Sequence, residues 1–130
     1  MPNVVFFSFR ENDRETVLTI KGRAVNPYYT NLNFRVKDLL RRWKTIDEAV
    51  IRQAISKAMI GTSRTIVFVG ETTYLSKWVQ EEVKMSLAAG KSVYAIRLNG
   101  TNGPKPQILL DNNIFLTAWT ERSLQELAIK

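Results

Sequence analysis

Any chemistry in this chain is done without histidine or cysteine, because its 130 residues contain neither. Thiol nucleophiles, Ser-His-Asp relays, imidazole bases and zinc sites built from thiolates or imidazoles are therefore excluded. Carboxylates, hydroxyls, amines and backbone groups remain. The carboxylate with the most suggestive neighbour is Glu82, which follows Trp78 at helical i, i+4 spacing. On a wheel of about 100° per residue with Val79 at the origin, Val83 and Leu87 centre an apolar stripe near about 40°, while Trp78 and Glu82 fall on one flank at about 260° and about 300°. Side chains four apart meet on a helix surface. An indole beside a carboxylate at the mouth of a crevice can stack a flat ring and leave the acid facing a sugar. The same spacing also suits a Trp that covers a gap at a helix start and a Glu that complements the helix dipole, which is the commoner reason for such a pair. Glu81, near about 200° on that wheel, points away from the stripe and reads as a solvated charge.

Three short apolar runs are the natural strands that would position these groups. Val4 to Phe9, Thr65 to Val69 and Val93 to Leu98 are rich in β-branched and aromatic residues, and the last two stop at Gly70 and Asn99-Gly100. Continuous rather than alternating hydrophobicity suits strands buried on both faces. A final strand is expected at 113–117. Between the strands, 47–60 carries Ile51, Ala54, Ile55, Ala58 and Met59 at helical spacing. A second helix is expected over 77–89, with Ser76 as N-cap and Gly90 as its stop, and a third over 123–129. Residues 13–20 read as helical, 32–36 as a short edge strand and 37–43 as a helical turn. Buried strands alternating with amphipathic helices predict an α/β fold, a mostly parallel central sheet with helices on both faces. Ligands of such sheets bind at the carboxyl ends of the strands. The segments to inspect are thus Ser8-Phe9-Arg10, 70–76 and 99–106.

Common nucleotide motifs are missing from those segments. No stretch satisfies the P-loop pattern, and Phe9-Arg10-Glu11-Asn12 stands where a dinucleotide-binding glycine fingerprint would follow the first strand. A phospho-receiver domain would place acids directly after the first strand and an Asp at the end of the middle one, where Ser8-Phe9 and Gly70-Glu71 stand. Glu71, in a polar turn, reads as an ordinary solvated charge.

Composition bounds the rest. Hydrophobic residues make up 45% and charged residues 24%, within the range of a folded globular protein, and the length suits a single domain over 1–130. No apolar run approaches a membrane span and no leader-like segment opens the chain, so a cytoplasmic location is expected. The net charge is +7. Arg35, Lys37, Arg41, Arg42 and Lys44 cluster against one acid, Asp38. Nucleic-acid binding is one account of that cluster; a solvated basic face is the better one, since no pattern puts it on a recognition helix.

The runs Val5 to Phe9, Thr62 to Tyr74, Ser76 to Glu82 and Ala95 to Leu98, in that order, resemble the bacterial TIR-like domain family, in particular the ThsB-type members of Thoeris antiphage defence. The resemblance implies a flavodoxin-like TIR fold and an enzyme that cleaves the nicotinamide–ribose bond of NAD+, as an NAD+ glycohydrolase or ADP-ribosyl cyclase. It matches Glu82 to the catalytic glutamate and Trp78 to the aromatic before it. Ser8, Phe9 and Arg10 match the loop lining the nucleotide pocket, and Tyr74 closes the block after the middle strand on the substrate side. It implies NAD+ as substrate rather than cofactor, no metal, a cyclic ADP-ribose-type signal that acts through a downstream effector protein, and self-association in the active state. A chain this short leaves no room for its own effector. Residues 21–44 do not align, so no site residue is drawn from them. The alternative within the same resemblance is a non-enzymatic TIR-like interaction module.

Overall fold

A computed structural model describes residues 4–25, 35–37 and 47–130, with side chains described at 4–22 and 47–130. Five strands, β1 (Val4–Ser8), β2 (Arg35–Lys37), β3 (Arg64–Val69), β4 (Ser92–Arg97) and β5 (Leu116–Thr117), form one sheet in the order β2-β1-β3-β4-β5. Every pairing is parallel. The helices are α1 (Arg14–Val25), α2 (Glu48–Met59), α3 (Lys77–Ala88), α4 (Gln107–Asp111) and α5 (Glu121–Ile129). This is the parallel α/β sheet expected from the alternating runs, in the flavodoxin-like arrangement that the family resemblance implied.

Strand alternation sorts the core into two layers. Val5, Phe7, Ile66, Phe68, Ile96 and Leu98 pack with Val17 and Ile20 of α1 and with Leu124, Leu127 and Ala128 of α5. Phe7 and Phe68 meet edge to face with ring centroids 4.6 Å apart. On the opposite layer Phe6 packs with Ile51, Ile55 and Met59 of α2. Beside it, Val67, Val69, Val93 and Ala95 pack with Val79 and Val83 of α3 and with Ile108 and Leu109 of α4. The chain leaves β1 toward β2 and leaves β3 toward β4, so the topological switch lies between β1 and β3, and the carboxyl ends of these two strands are where sheets of this kind bind ligands.

Local chemistry sets the helix ends. The Asp47 carboxylate accepts from the Ala49 N–H at 2.9 Å to start α2, and Ser76 Oγ accepts from the Val79 N–H at 3.2 Å to start α3. Gly90, at φ of 75°, turns the chain after α3 as expected of a C-terminal stop. Residues 107–111, for which the sequence carried no assignment, form α4. Two expectations need correction. Asn113 then takes a left-handed φ of 54°, which Asn tolerates, and this delays β5 to Leu116 instead of 113. The edge strand lies at Arg35–Lys37, so Lys37 does not open a helical turn; the remainder of that turn, like the 32–34 part of the edge strand, lies outside the described residues. Among the described residues no helix is long and apolar enough to cross a membrane.

Candidate active site at the carboxyl edge

Ser8 is the last residue of β1 and is fully buried. Its Oγ donates to Glu82 Oε1 at 2.8 Å, a hydrogen bond joining residues 74 positions apart. Glu82 lies in the second turn of α3 and is 7% exposed. The wheel reading put it on the flank of the apolar stripe, and here the structure corrects it. The buried residues of α3 are Val79, Glu82, Val83 and Ser86, while Leu87 is half-buried. One turn below Glu82, the hydroxyls of Ser86 and Thr65, both fully buried, lie 2.8 Å apart. A charged group removed from water in this way is costly unless hydrogen-bonded.

Trp78 sits one turn above Glu82, between α2 and α3, on the edge of the cluster that Phe6 forms with the apolar face of α2. Its ring is already attended by cations, the Arg52 guanidinium at 5.6 Å and the Lys77 ammonium at 5.4 Å from the ring centroid. Glu48 bonds to both, and the Lys77 ammonium, then the Arg52 guanidinium, hold its carboxyl below the usual range. Glu81 pairs with Arg52 at 3.3 Å and with Lys84 at 3.7 Å, so it is a bridge between α2 and α3 and not a purely solvated charge.

The other residues expected at the site part company with Glu82. Phe9 follows Ser8 in sequence but packs with the α1 and α5 layer, as strand alternation requires, so the structure does not bring it beside the Ser8–Glu82 pair. Arg10 Nη1 donates to the Thr72 carbonyl at 3.0 Å and ties the loop after β1 to the loop after β3. Tyr74 lies in the 3-10 turn Thr73–Leu75 between β3 and α3, with 39% of its surface open to solvent.

A second set of groups at this edge carried no site assignment from the sequence. Thr73, fully buried, accepts from the Gly70 N–H at 2.8 Å and sits 3.4 Å from the Asp13 carboxylate. Burial pushes the Asp13 carboxyl above its ordinary value, opposed by the Thr73 hydrogen bond and the Arg10 charge. The Asn102 N–H donates to Glu71 Oε1 at 2.8 Å, so Glu71 is a loop tie where a solvated charge was expected. Arg97 Nη1 donates to the Gly103 carbonyl at 2.9 Å. A Cβ on Gly103 would lie 2.2 Å from the Gly70 carbonyl oxygen, so this contact admits no side chain. The loops after β1, β3 and β4 are thus sewn into one rim. Residue 13 entered the sequence reading only as the start of a helical segment, and nothing in the sequence paired Asp13 with Thr73.

The arrangement is a buried, hydroxyl-held carboxylate at a topological switch point, with an indole one turn away and a stiff rim above. It has what is needed to stabilise positive charge that develops on a bound group. The family described as Thoeris protein ThsB, TIR-like domain, matches residues 6–103. Among solved structures, the TIR domain of the Toll-related receptor TRR-2 from Hydra magnipapillata superposes with a TM-score of 0.58 at 17% identity, covering 96% of this chain and 90% of that one. At that identity the likeness concerns the fold. No curated protein matches the chain.

Proposed function

The chain belongs to the Thoeris ThsB TIR-like domain family, and from that premise we propose that it is an enzyme acting on NAD+, with Glu82 as its catalytic carboxylate. The reaction breaks the bond between the nicotinamide nitrogen and ribose C1′. The bonding pair leaves with nicotinamide, which is neutral once released, and positive charge develops on the ribose. Glu82 stabilises that charge and holds the ribose hydroxyls. Because the ring nitrogen of NAD+ is already cationic, departure requires no proton, which suits a chain without histidine.

One observation supports this reading above the others: the acid at the family's catalytic position is 7% exposed and hydrogen-bonded by Ser8 at 2.8 Å at the switch point of the sheet. A Glu that merely complemented the helix dipole would face water. Trp78 offers an aromatic wall, and it is better placed than Phe9 to stack on the substrate because it shares α3 with Glu82. Arg10 and Tyr74, at the rim, are the groups to meet the pyrophosphate and the nucleotide face.

Water attacking C1′ gives ADP-ribose; a nucleophile on the adenosine part of the same molecule gives a cyclic isomer. We assign the cyclic ADP-ribose-type product, made in the cytoplasm as an antiphage signal for a downstream effector, on the strength of the Thoeris relationship. Incubating the protein with NAD+ and separating products by mass spectrometry tests both parts. The expected result is free nicotinamide plus a product isomeric with cyclic ADP-ribose, lost in Glu82→Gln by about 10²–10³-fold or more. Undiminished turnover by Glu82→Gln ends the proposal. Absent turnover with specific capture of another TIR domain would establish the interaction-module reading instead.

A further inference from the structure

Apolar residues alone would seat α3 on Val79, Val83 and Leu87. In the structure the helix is turned from that setting by about 50°, judged from the angular mean of its buried residues at about 100° per residue. Glu82 and Ser86 go in, and Leu87 is left half-buried. Giving up leucine burial to bury a carboxylate works against stability. Something specific must hold the helix in this rotation.

Two buried hydrogen bonds do so: Ser8 Oγ to Glu82 Oε1, and Thr65 Oγ1 with Ser86 Oγ, each 2.8 Å long. Their spacing fits the geometry on both sides. Thr65 stands opposite Phe6 in the β1–β3 register, two residues below Ser8. Two strand residues span about 6.6 Å and the four helix residues from Glu82 to Ser86 span about 6 Å, so a helix running back along the strands meets both partners at once. The hydroxyl residues Ser8, Thr65 and Ser86 are each 0% exposed. None of them is open to a substrate in this structure.

We propose that Ser8, Thr65 and Ser86 are positioning residues that fix the rotation and height of α3, so that Glu82 is held at the carboxyl edge of the sheet in its working orientation. For Ser8 this replaces the substrate contact that the family resemblance implied. The proposal rests on Glu82 being the catalytic carboxylate. Its mechanism is orientation: misplacing a reacting group by about 1 Å can cost about 10²-fold in rate.

The test compares wild type, Ser8→Ala, Ser8→Thr, Glu82→Gln, Ser8→Ala combined with Glu82→Gln, and the pair Thr65→Val with Ser86→Ala. The last removes both partners of one bond together and leaves no buried hydroxyl unpaired. Ser8→Ala should lower kcat by about 10–100-fold with KM within about twofold, in a protein that still folds cooperatively with a melting temperature lowered by the loss of one buried hydrogen bond, and Ser8→Thr should restore most of the rate. In the Glu82→Gln background Ser8→Ala should cost nothing more, because both act through one carboxylate. The Thr65 and Ser86 pair should also lower kcat at constant KM. Full kcat in Ser8→Ala, a loss confined to KM, or an undiminished further loss without the carboxylate overturns the positioning role. A crystal structure of Ser8→Ala decides the matter independently of turnover. The Glu82 carboxylate should be displaced or α3 rotated, and an unmoved carboxylate refutes the proposal. If Glu82→Gln turns over NAD+ like wild type, the functional reading fails; if it is inactive while Ser8→Ala is fully active, only the positioning fails.

Discussion

The two faces of the sheet are built to different standards. Toward α1 and α5, the strands present Val5, Phe7, Ile66, Phe68, Ile96 and Leu98 to an apolar layer, with buried Arg64 at its foot donating to the Leu127 carbonyl at 3.1 Å. Toward α2 and α3, the same strands also present Ser8 and Thr65, and α3 answers with Glu82 and Ser86. One face is sealed by hydrophobic area. The other accepts four polar side chains in its interior, which lowers the stability available from it and raises how narrowly it specifies the position of one helix. Natural folds accept such local losses at working sites. The difference assigns stability chiefly to one layer and chemistry to the other.

That division can be broken from either side. Phe68→Ala on the apolar face removes a fully buried ring from the Phe7 contact and should cost about 3–5 kcal/mol, read as a lower urea midpoint, with the rate per folded molecule preserved. On the polar face, Ser8→Ala combined with Glu82→Met replaces a buried carboxylate and the Ser8 hydroxyl that donates to it by apolar groups. The expected gain is about 1–2 kcal/mol in the same denaturation, with nicotinamide release abolished. A loss of several kcal/mol there would show that the polar seam is a structural asset and would dissolve the contrast.

The smallest expected effect concerns the rim. Burial raises the Asp13 carboxyl above 3.8, so the folded protein holds this proton more tightly than the unfolded chain does. Stability from this group is complete below 3.8 and is lost as pH rises through the raised value. Asp13→Asn should therefore be slightly more stable than wild type at neutral pH, with the gain vanishing below pH 3.8. Urea denaturation at several pH values checks the sign.

The contrast also explains what could be read in advance. The main strands, the parallel sheet and the long helices α2 and α3 were accessible because β1, β3 and β4 are continuous apolar runs and α2 has a clear amphipathic period. The α2 to α3 charge network was not, since Glu81 and Arg52 lie on separate elements and their meeting depends on tertiary packing. Glu82 was found as a candidate from its spacing to Trp78 and from the family resemblance, but its burial was misjudged. A helical wheel weights Leu87 above a serine and an acid, and it cannot see that Ser8 and Thr65 wait on the sheet at matching heights. Phe9 was grouped with Ser8 by adjacency, where strand alternation sends the two to opposite layers. Short helix α4 escaped because its Ile-Leu-Leu run fits strand and helix equally over so few residues.

The most direct measurement takes one preparation of Glu82→Gln beside wild type and records nicotinamide release from NAD+ and the melting temperature together. The account predicts that release falls by at least about 10²-fold while the melting temperature holds within a few degrees or rises, because this carboxylate serves chemistry at the expense of stability. Retained turnover accompanied by a sharply lower melting temperature would contradict it, since Glu82 would then be a structural residue of the core.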